Sequence, residues 1–506
     1  MKKYLVGLFV LLGMIGLSGC GETEEQTETG EIKVIASFYP MYDFTKNIVG
    51  DEGTVELMIP AGTEAHDYEP SARNLADIQD ADVFVYNNEN METWVPEIEG
   101  TLADGDVQVV KATEGMILLP GDEAGHDHSH DAAGHEGHSH ELDPHVWLAP
   151  SLAIKEVAAI RDQLMAAYPE KAQAFEENAA AYLEKLTALD EAYQDQLTNA
   201  TQKTFVTQHS AFGYLALEYG LNQVPITGLS ANEEPSASRL AELKEFVLEQ
   251  ELQYIYFEEN ATEAVARTLA EETGVELLVL NPLEGLTKEQ QAAGEDYISV
   301  MEENLTALSK TINNERTSTL PTVEKEQTVY NGYFADSDVS DRPLSDWQGN
   351  WQSVYPYLED GSLDQVMAYK AKLDSSKTLD EYFAYYQTGY QTTINEIEIT
   401  EDTMSFTDED GQTVSSEYQY TGYQILNYAA GNRGVRYLFE ALDDSSGAFK
   451  YVQFSDHDIT STKAAHFHIY FGNDSQEALL TEMNHWPTYY PEDLSGFEIA
   501  QEMMAH

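Results

Sequence analysis

The sequence predicts two unlike bodies in one chain, an α/β half made of two lobes with a long linking helix and a second half that is mainly β. Three observations carry this expectation. Between Ile32 and Leu308 short apolar runs alternate with helix-like stretches. A polar stretch from Thr306 to Thr328 (TALSKTINNERTSTLPTVEKEQT), holding Pro321, then interrupts the pattern. Beyond it, Tyr, Thr, Gly and Asp dominate short alternating segments.

Residues 1–20 read as an export signal. Lys2 and Lys3 precede an apolar run from Tyr4 to Leu17, shorter than the roughly 20 residues of a membrane-spanning helix. The run ends in Leu17-Ser18-Gly19-Cys20, which resembles the bacterial lipobox and makes Cys20 the expected lipid anchor. Two or three acyl chains, at about 0.8 kcal/mol per buried methylene, would hold the chain to a membrane stably. Residues 21–31 (GETEEQTETGE) are then an acidic, solvated tether.

The α/β half is expected over residues 32–308. IKVIASF at Ile32, TVELMIP at Thr54 and ADVFVYN at Ala81 read as buried parallel strands of a first lobe. Leu152 to Leu197, rich in Ala, Glu, Leu, Lys and Gln, reads as two helices broken at Pro169. KTFVTQ at Lys203, LNQVPIT at Leu221, QYIYFEE at Gln253 and VELLVL at Val275 are the strands of a second lobe. Residues 309–330 are the expected linker and 331–506 the β half, where INEIEIT at Ile394 reads as a strand and MSFTDEDGQTV at Met404 as a hairpin turning on Asp-Glu-Asp-Gly.

Composition excludes several functions. With 90 Asp and Glu against 26 Lys and Arg, the formal charge of −64 argues against nucleic acid or anionic lipid as a partner. A single Cys rules out an internal disulfide and a thiolate zinc cluster, so any metal site must use His, Asp and Glu.

Histidine placement is informative. His66 (GTEAHDYEPS), His209 (TQHSAFGYLA) and Glu284 (NPLEGL) each follow the C-terminal end of an expected strand, where open α/β sheets place ligands; His145 stands in ELDPHVWLAP. Three imidazoles and a carboxylate make a tetrahedral zinc set, and imidazole favours zinc over manganese. Spacing alone leaves open whether they meet, since successive members are 79, 64 and 75 positions apart.

These segments resemble the zinc-specific solute-binding lipoproteins of metal ABC transporters, the AdcA/ZnuA type, over roughly Lys33 to Leu308. The resemblance implies that His66, His145, His209 and Glu284 coordinate Zn²⁺, with Glu258 and Glu259 as candidates to support them from behind. HDHSHDAAGHEGHSH adds His126, His128, His130, His135, His138 and His140, a composition that binds metal weakly and builds no core. The resemblance implies a zinc-capturing loop; a solvated spacer is the alternative.

In the second half, His466 and His468 (AAHFHIYFG) would face the same way on a strand, and His457 (YVQFSDH) can supply a third imidazole. Together with WQSVYPYLEDGSLDQV from Trp351 and HWPTYYP from His485, these segments resemble the ZinT-type zinc-binding domain over about Asp346 to Met503. That implies a calycin-like (lipocalin-like) barrel with zinc on His457, His466 and His468; His485 and His506 are not expected to be ligands.

The expected function is non-enzymatic: a monomer, lipid-anchored on the extracellular face of a bacterial membrane, that captures Zn²⁺ and passes it to a zinc ABC permease. Two other readings stand beside it. A zinc hydrolase would use an open fourth coordination position, but the chain has no HExxH, HxxEH or GxSxG motif. A surface adhesin with structural metal would unfold on chelation.

Overall fold

The computed structural model describes residues 30–103, 105–121, 142–230, 234–259, 263–313, 327–428, 431–443 and 445–505. Four parallel strands, β1 Ile32–Ala36, β2 Gly53–Leu57, β3 Val83–Tyr86 and β4 Gln108–Lys111, form the first lobe in the order β2-β1-β3-β4. The second lobe repeats that order as β6-β5-β7-β8, with β5 Thr204–Thr207, β6 Asn222–Pro225, β7 Tyr254–Phe257 and β8 Glu276–Val279. Central strands β3 and β5 are buried at every position, as expected when helices cover both faces. Edge strand β4 (QVVK) escaped the sequence reading because its apolar core is only two residues long between polar ends.

The apolar runs overshoot the strands at their C-terminal ends. Met58 and Ile59 stay buried and bond to the carbonyls of Ala36 and Ser37, yet there the chain leaves the sheet toward the cleft. Two helices, Pro150–Ala167 and Ala172–Leu197, break around Pro169, which cannot continue a helix. The longer one buries Phe175, Ala179, Tyr182, Leu186, Leu189, Tyr193 and Leu197 at helical spacing. It packs on helix Tyr39–Val49 of the first lobe and on helix Tyr297–Ile312, so it ties the lobes together. Helix Tyr297–Ile312 runs on past residue 308 because Thr311 and Ile312 are buried; the Thr311 hydroxyl meets that of Tyr256 at 2.6 Å.

The second body is a closed antiparallel barrel of eight strands: β9 Gly349–Ser353, β10 Ile394–Ile399, β11 Thr403–Asp408, β12 Thr413–Asn427, β13 Arg433–Ala441, β14 Tyr451–Ser455, β15 Phe467–Gly472 and β16 Thr488–Pro491. Closure leaves no free sheet edge. The expected hairpin turns where Gly411 takes φ 75° and the Asp408 carboxylate accepts from the amides of Asp410 and Gln412. Trp347, Trp351, Phe406, Tyr437, Phe439, Phe454, Phe467 and Tyr489 dominate the core. A separate apolar cluster belongs to both bodies: Met116, Ile117, Leu118, Leu119, Val146, Leu152 and Tyr214 pack with Val366, Met367, Tyr369, Ile499 and Met503.

Candidate metal centre

Between the lobes, His66, His145, His209 and Glu284 converge, and among the described residues they are the group whose metal-binding atoms all lie within 4.8 Å of one another. His66 follows β2, His209 follows β5, Glu284 follows β8, and His145 opens the short turn Val146–Leu148. The Nε2 atoms of His66 and His145 are 3.0 Å apart, and those of His145 and His209 are 3.4 Å apart. Glu284 Oε1 stands 3.5, 3.6 and 3.3 Å from the Nε2 atoms of His66, His145 and His209. Zinc bonds of roughly 2.0–2.1 Å put the corners of a tetrahedron about 3.3–3.4 Å apart. These five separations, 3.0 to 3.6 Å, lie close to those that one zinc ion requires.

Groups behind the imidazoles set which nitrogen is presented. His145 Nδ1 donates to Asp143 Oδ1 at 2.8 Å, and His209 Nδ1 donates to Glu258 Oε1 at 2.5 Å. Both Nε2 atoms consequently aim into the cleft. Glu284 Oε1 is buried without a hydrogen-bond partner, an acceptor that a cation would satisfy. Its turn is held open by Leu283 at φ 57°, by the Asn281 side chain on the Leu283 amide and by paired bonds between Asn281 and Asn304. A left-handed Leu is backbone strain kept where it positions a functional group. Trp147 crosses the cleft, its indole N–H donating to the Pro282 carbonyl at 2.8 Å.

Charge in the cleft is strongly coupled. Burial opposes protonation of His209 and His145, yet the carboxylates of Glu258, Asp143 and Glu284 outweigh it and hold both imidazoles above their ordinary range. Burial would raise Glu284, but the surrounding imidazoles hold it well below the carboxylate range. Glu64, whose carboxylate accepts from the His66 amide, is pushed up to about 8 by burial and by Glu284. Because zinc must displace protons from the raised imidazoles, its binding near pH 7 is expected to release protons, and affinity should fall as pH drops. Calorimetry in buffers of different ionisation enthalpy measures this; heats independent of buffer would contradict it.

In the barrel, His457, His466 and His468 gather with ring centroids 5.5, 6.4 and 6.2 Å apart. They line a cavity of about 180 Å³ walled by Tyr330, Tyr386, Tyr390, Trp486 and Tyr490. His468 lies in β15, whereas His466 stands one residue before it. His468 Nδ1 donates to Thr488 Oγ1 at 2.7 Å, and His457 Nδ1 donates to the Tyr330 carbonyl at 3.2 Å. The Tyr330 ring also stacks on His457 at 3.9 Å. Burial, with His457 and Arg436 nearby, lowers His468 to about 3, so this imidazole stays neutral far into acid.

The comparisons with known proteins follow the same division. Residues 34–311 match the family described as zinc-uptake complex component A, periplasmic (ZnuA), and residues 325–506 match ZinT (YodA), periplasmic lipocalin-like zinc-recruitment. A relative named zinc-binding lipoprotein AdcA, from Streptococcus pneumoniae serotype 4, is 58% identical over the full length of both chains. The chain belongs to the ZnuA family, in its AdcA form. The crystal structure of Zn(II)-bound AdcA from S. pneumoniae, 57% identical, superposes with a TM-score of 0.85 over 94% of this chain and all of that one. The separately crystallised Zn(II)-bound ZnuA-like domain of that AdcA, 56% identical, covers 56% of this chain and all of its own, with a TM-score of 0.50. A score of 0.85 requires both bodies to superpose together, so this AdcA-type chain shares their relative placement.

Sequence reasoning picked out Glu258 and Glu259 in this AdcA-type chain but could not choose between them. Glu258 bonds His209, whereas Glu259 accepts from Gln290 at 3.0 Å. It missed Asp143, Glu64, Thr488 and Tyr330; Asp143 had a signal, standing two residues before His145 in the DPHVW segment, while Tyr330 lay in the expected linker. His485 bonds the Gln391 carbonyl through Nε2 at 2.5 Å. Cys20, the six histidines of residues 126–140 and His506 lie outside the described residues. No helix among the described residues is long and apolar enough to cross a membrane. Glu258→Ala is expected to weaken cleft zinc by about 10–100-fold while leaving the donor set in place. Competition with a zinc chelator reads this out, and unchanged affinity would remove Glu258 from the role.

Proposed function

We propose that the chain captures Zn²⁺ outside the cell, holds it in the interlobe cleft on His66, His145, His209 and Glu284, and delivers it to the membrane subunit of a zinc ABC permease. The observation that carries this reading is the convergence of three Nε2 atoms and one carboxylate oxygen at tetrahedral zinc spacing. Membership in a zinc-uptake family supports it. Residues 32–308 form the cleft domain and 331–506 a second zinc-binding domain using His457, His466 and His468. The histidines of residues 126–140 add weak capture, and acylated Cys20 keeps the monomer at the cell surface.

The chain is not an enzyme, because its family is one of zinc-uptake components; in the cleft, four protein donors on one zinc ion would leave no coordination position for a substrate. An adhesin held together by its metal is not favoured either, because each lobe and the barrel have hydrophobic cores of their own. Metal analysis after mild chelation and refilling tests the proposal. Two strongly held zinc ions per chain are expected, with zinc preferred over manganese in direct competition; one ion, or equal preference, would count against it.

A further inference from the structure

The barrel is bonded to the cleft domain by side chains of its own. Two of its helices, Asp364–Leu373 and Gly496–Ala505, grip the cleft domain through paired bonds from glutamine side chains to backbone. Gln365 accepts from the Ile117 amide at 3.2 Å and donates to the Gly115 carbonyl at 2.8 Å. Gln501 does the same to both backbone groups of Leu118, each at 2.8 Å. These bonds satisfy a segment that no strand among the described residues pairs with.

The gripped segment belongs to the first lobe and leads straight to a cleft histidine. The Leu119 carbonyl accepts from the Asp143 amide at 2.9 Å, and Asp143 Oδ1 orients His145. The Leu119 amide donates to the hydroxyl of Tyr214, which donates to the Asp143 carbonyl at 2.8 Å. Tyr214 lies on helix Gly213–Tyr219 of the second lobe, just beyond His209. That helix meets the barrel too: Lys372 pairs with Glu218 at 2.5 Å, and Glu218 also accepts from Ser151. The barrel therefore touches both lobes at once, one hydrogen-bonded step from Asp143 and one short helix from His209.

We propose that the barrel domain braces the two lobes, with Gln365, Gln501 and Lys372 as positioning residues for the cleft site, so that opening the cleft requires the barrel to loosen its grip. Lobes that separate must either carry Glu218 away from Lys372 or pull residues 115–118 off the two glutamines. The brace therefore slows zinc exchange in the cleft. By linkage, zinc in the cleft must tighten the docking in return. This inference rests on the cleft assignment above.

The test is the rate at which cleft zinc passes to excess chelator, measured by stopped flow. The reference is the full chain carrying His468→Ala, which silences the barrel site. Two variants are compared with it: Gln365→Ala/Gln501→Ala/Lys372→Glu in the same background, and a chain ending at Asn313. The truncated chain is a folding unit by analogy with the separately crystallised relative. Release at least about five-fold faster from both is expected. Rates within two-fold of the reference in the truncated chain would overturn the brace, whatever the triple variant does. Failure of the underlying assignment looks different, because His209→Ala would then leave the cleft signal in place. Hydrogen exchange at residues 115–119 should also slow when zinc is added, and no change there counts against the coupling.

Discussion

His209→Ala is expected to weaken cleft zinc binding more than about a hundred-fold, so that in competition with a chelator strong enough to strip the weakened cleft the zinc retained by the chain falls by one ion. The expected loss is large because each ligand carries a large share of a strong interaction. Zinc held by a complete tetrahedral set is worth about 10–16 kcal/mol, so one ligand in four accounts for roughly 3 kcal/mol, more than two orders of magnitude in affinity. His209 has a second effect. Its Nδ1 donates to buried Glu258, and Ala leaves that side chain, 3% exposed, without this bond. Metal analysis and chelator competition on the full chain measure the result. A variant that retained two strong zinc ions would show that the convergence of donor atoms is not the binding site.

Arg342→Ala is expected to destabilise the barrel by about 3–5 kcal/mol and to weaken any zinc binding by His457, His466 and His468. Arg342 is fully buried, bonds Asp346 at 3.0 Å and Asp456 at 2.7 Å, and donates to the carbonyls of Asp458 and Thr462. Its guanidinium also lies 4.2 Å from the Trp347 ring centroid. Removing one member of a buried ion pair strands the other charges, at a cost of about 3–5 kcal/mol. Asp456 precedes His457, so the same network sets where that imidazole stands. Thermal unfolding should show an earlier barrel transition, with zinc in the cleft retained. An unchanged melting profile would mean that water replaces the guanidinium at little cost.

Much of the fold could be read from the sequence because buried parallel strands are short apolar runs and Pro169 cannot sit inside a helix. What escaped reading escaped for physical reasons. Strand β4 is held by its neighbour's ladder rather than by a long apolar run of its own. Met116 to Leu119 look like a strand, yet their apolar side chains pack on another domain and the backbones of Ile117 and Leu118 bond to glutamine side chains. No local pattern encodes a partner more than 200 positions away.

The sequence by itself determined the chemistry available to this protein. One Cys and 14 His confine metal binding to imidazole and carboxylate, and the motifs around His66, His145, His209 and Glu284 mark the cleft set. Only the tertiary structure decided which donors meet, which nitrogen each histidine presents, and that Glu258 rather than Glu259 stands behind His209. Residues separated by 64 to 79 positions of chain have no fixed distance until the strands carrying them pack side by side. A ring nitrogen is then committed by a hydrogen bond whose length tolerates only a few tenths of an ångström. The grip of the barrel on both lobes has the same origin, in side chains brought together by packing that leaves no periodic trace along the chain.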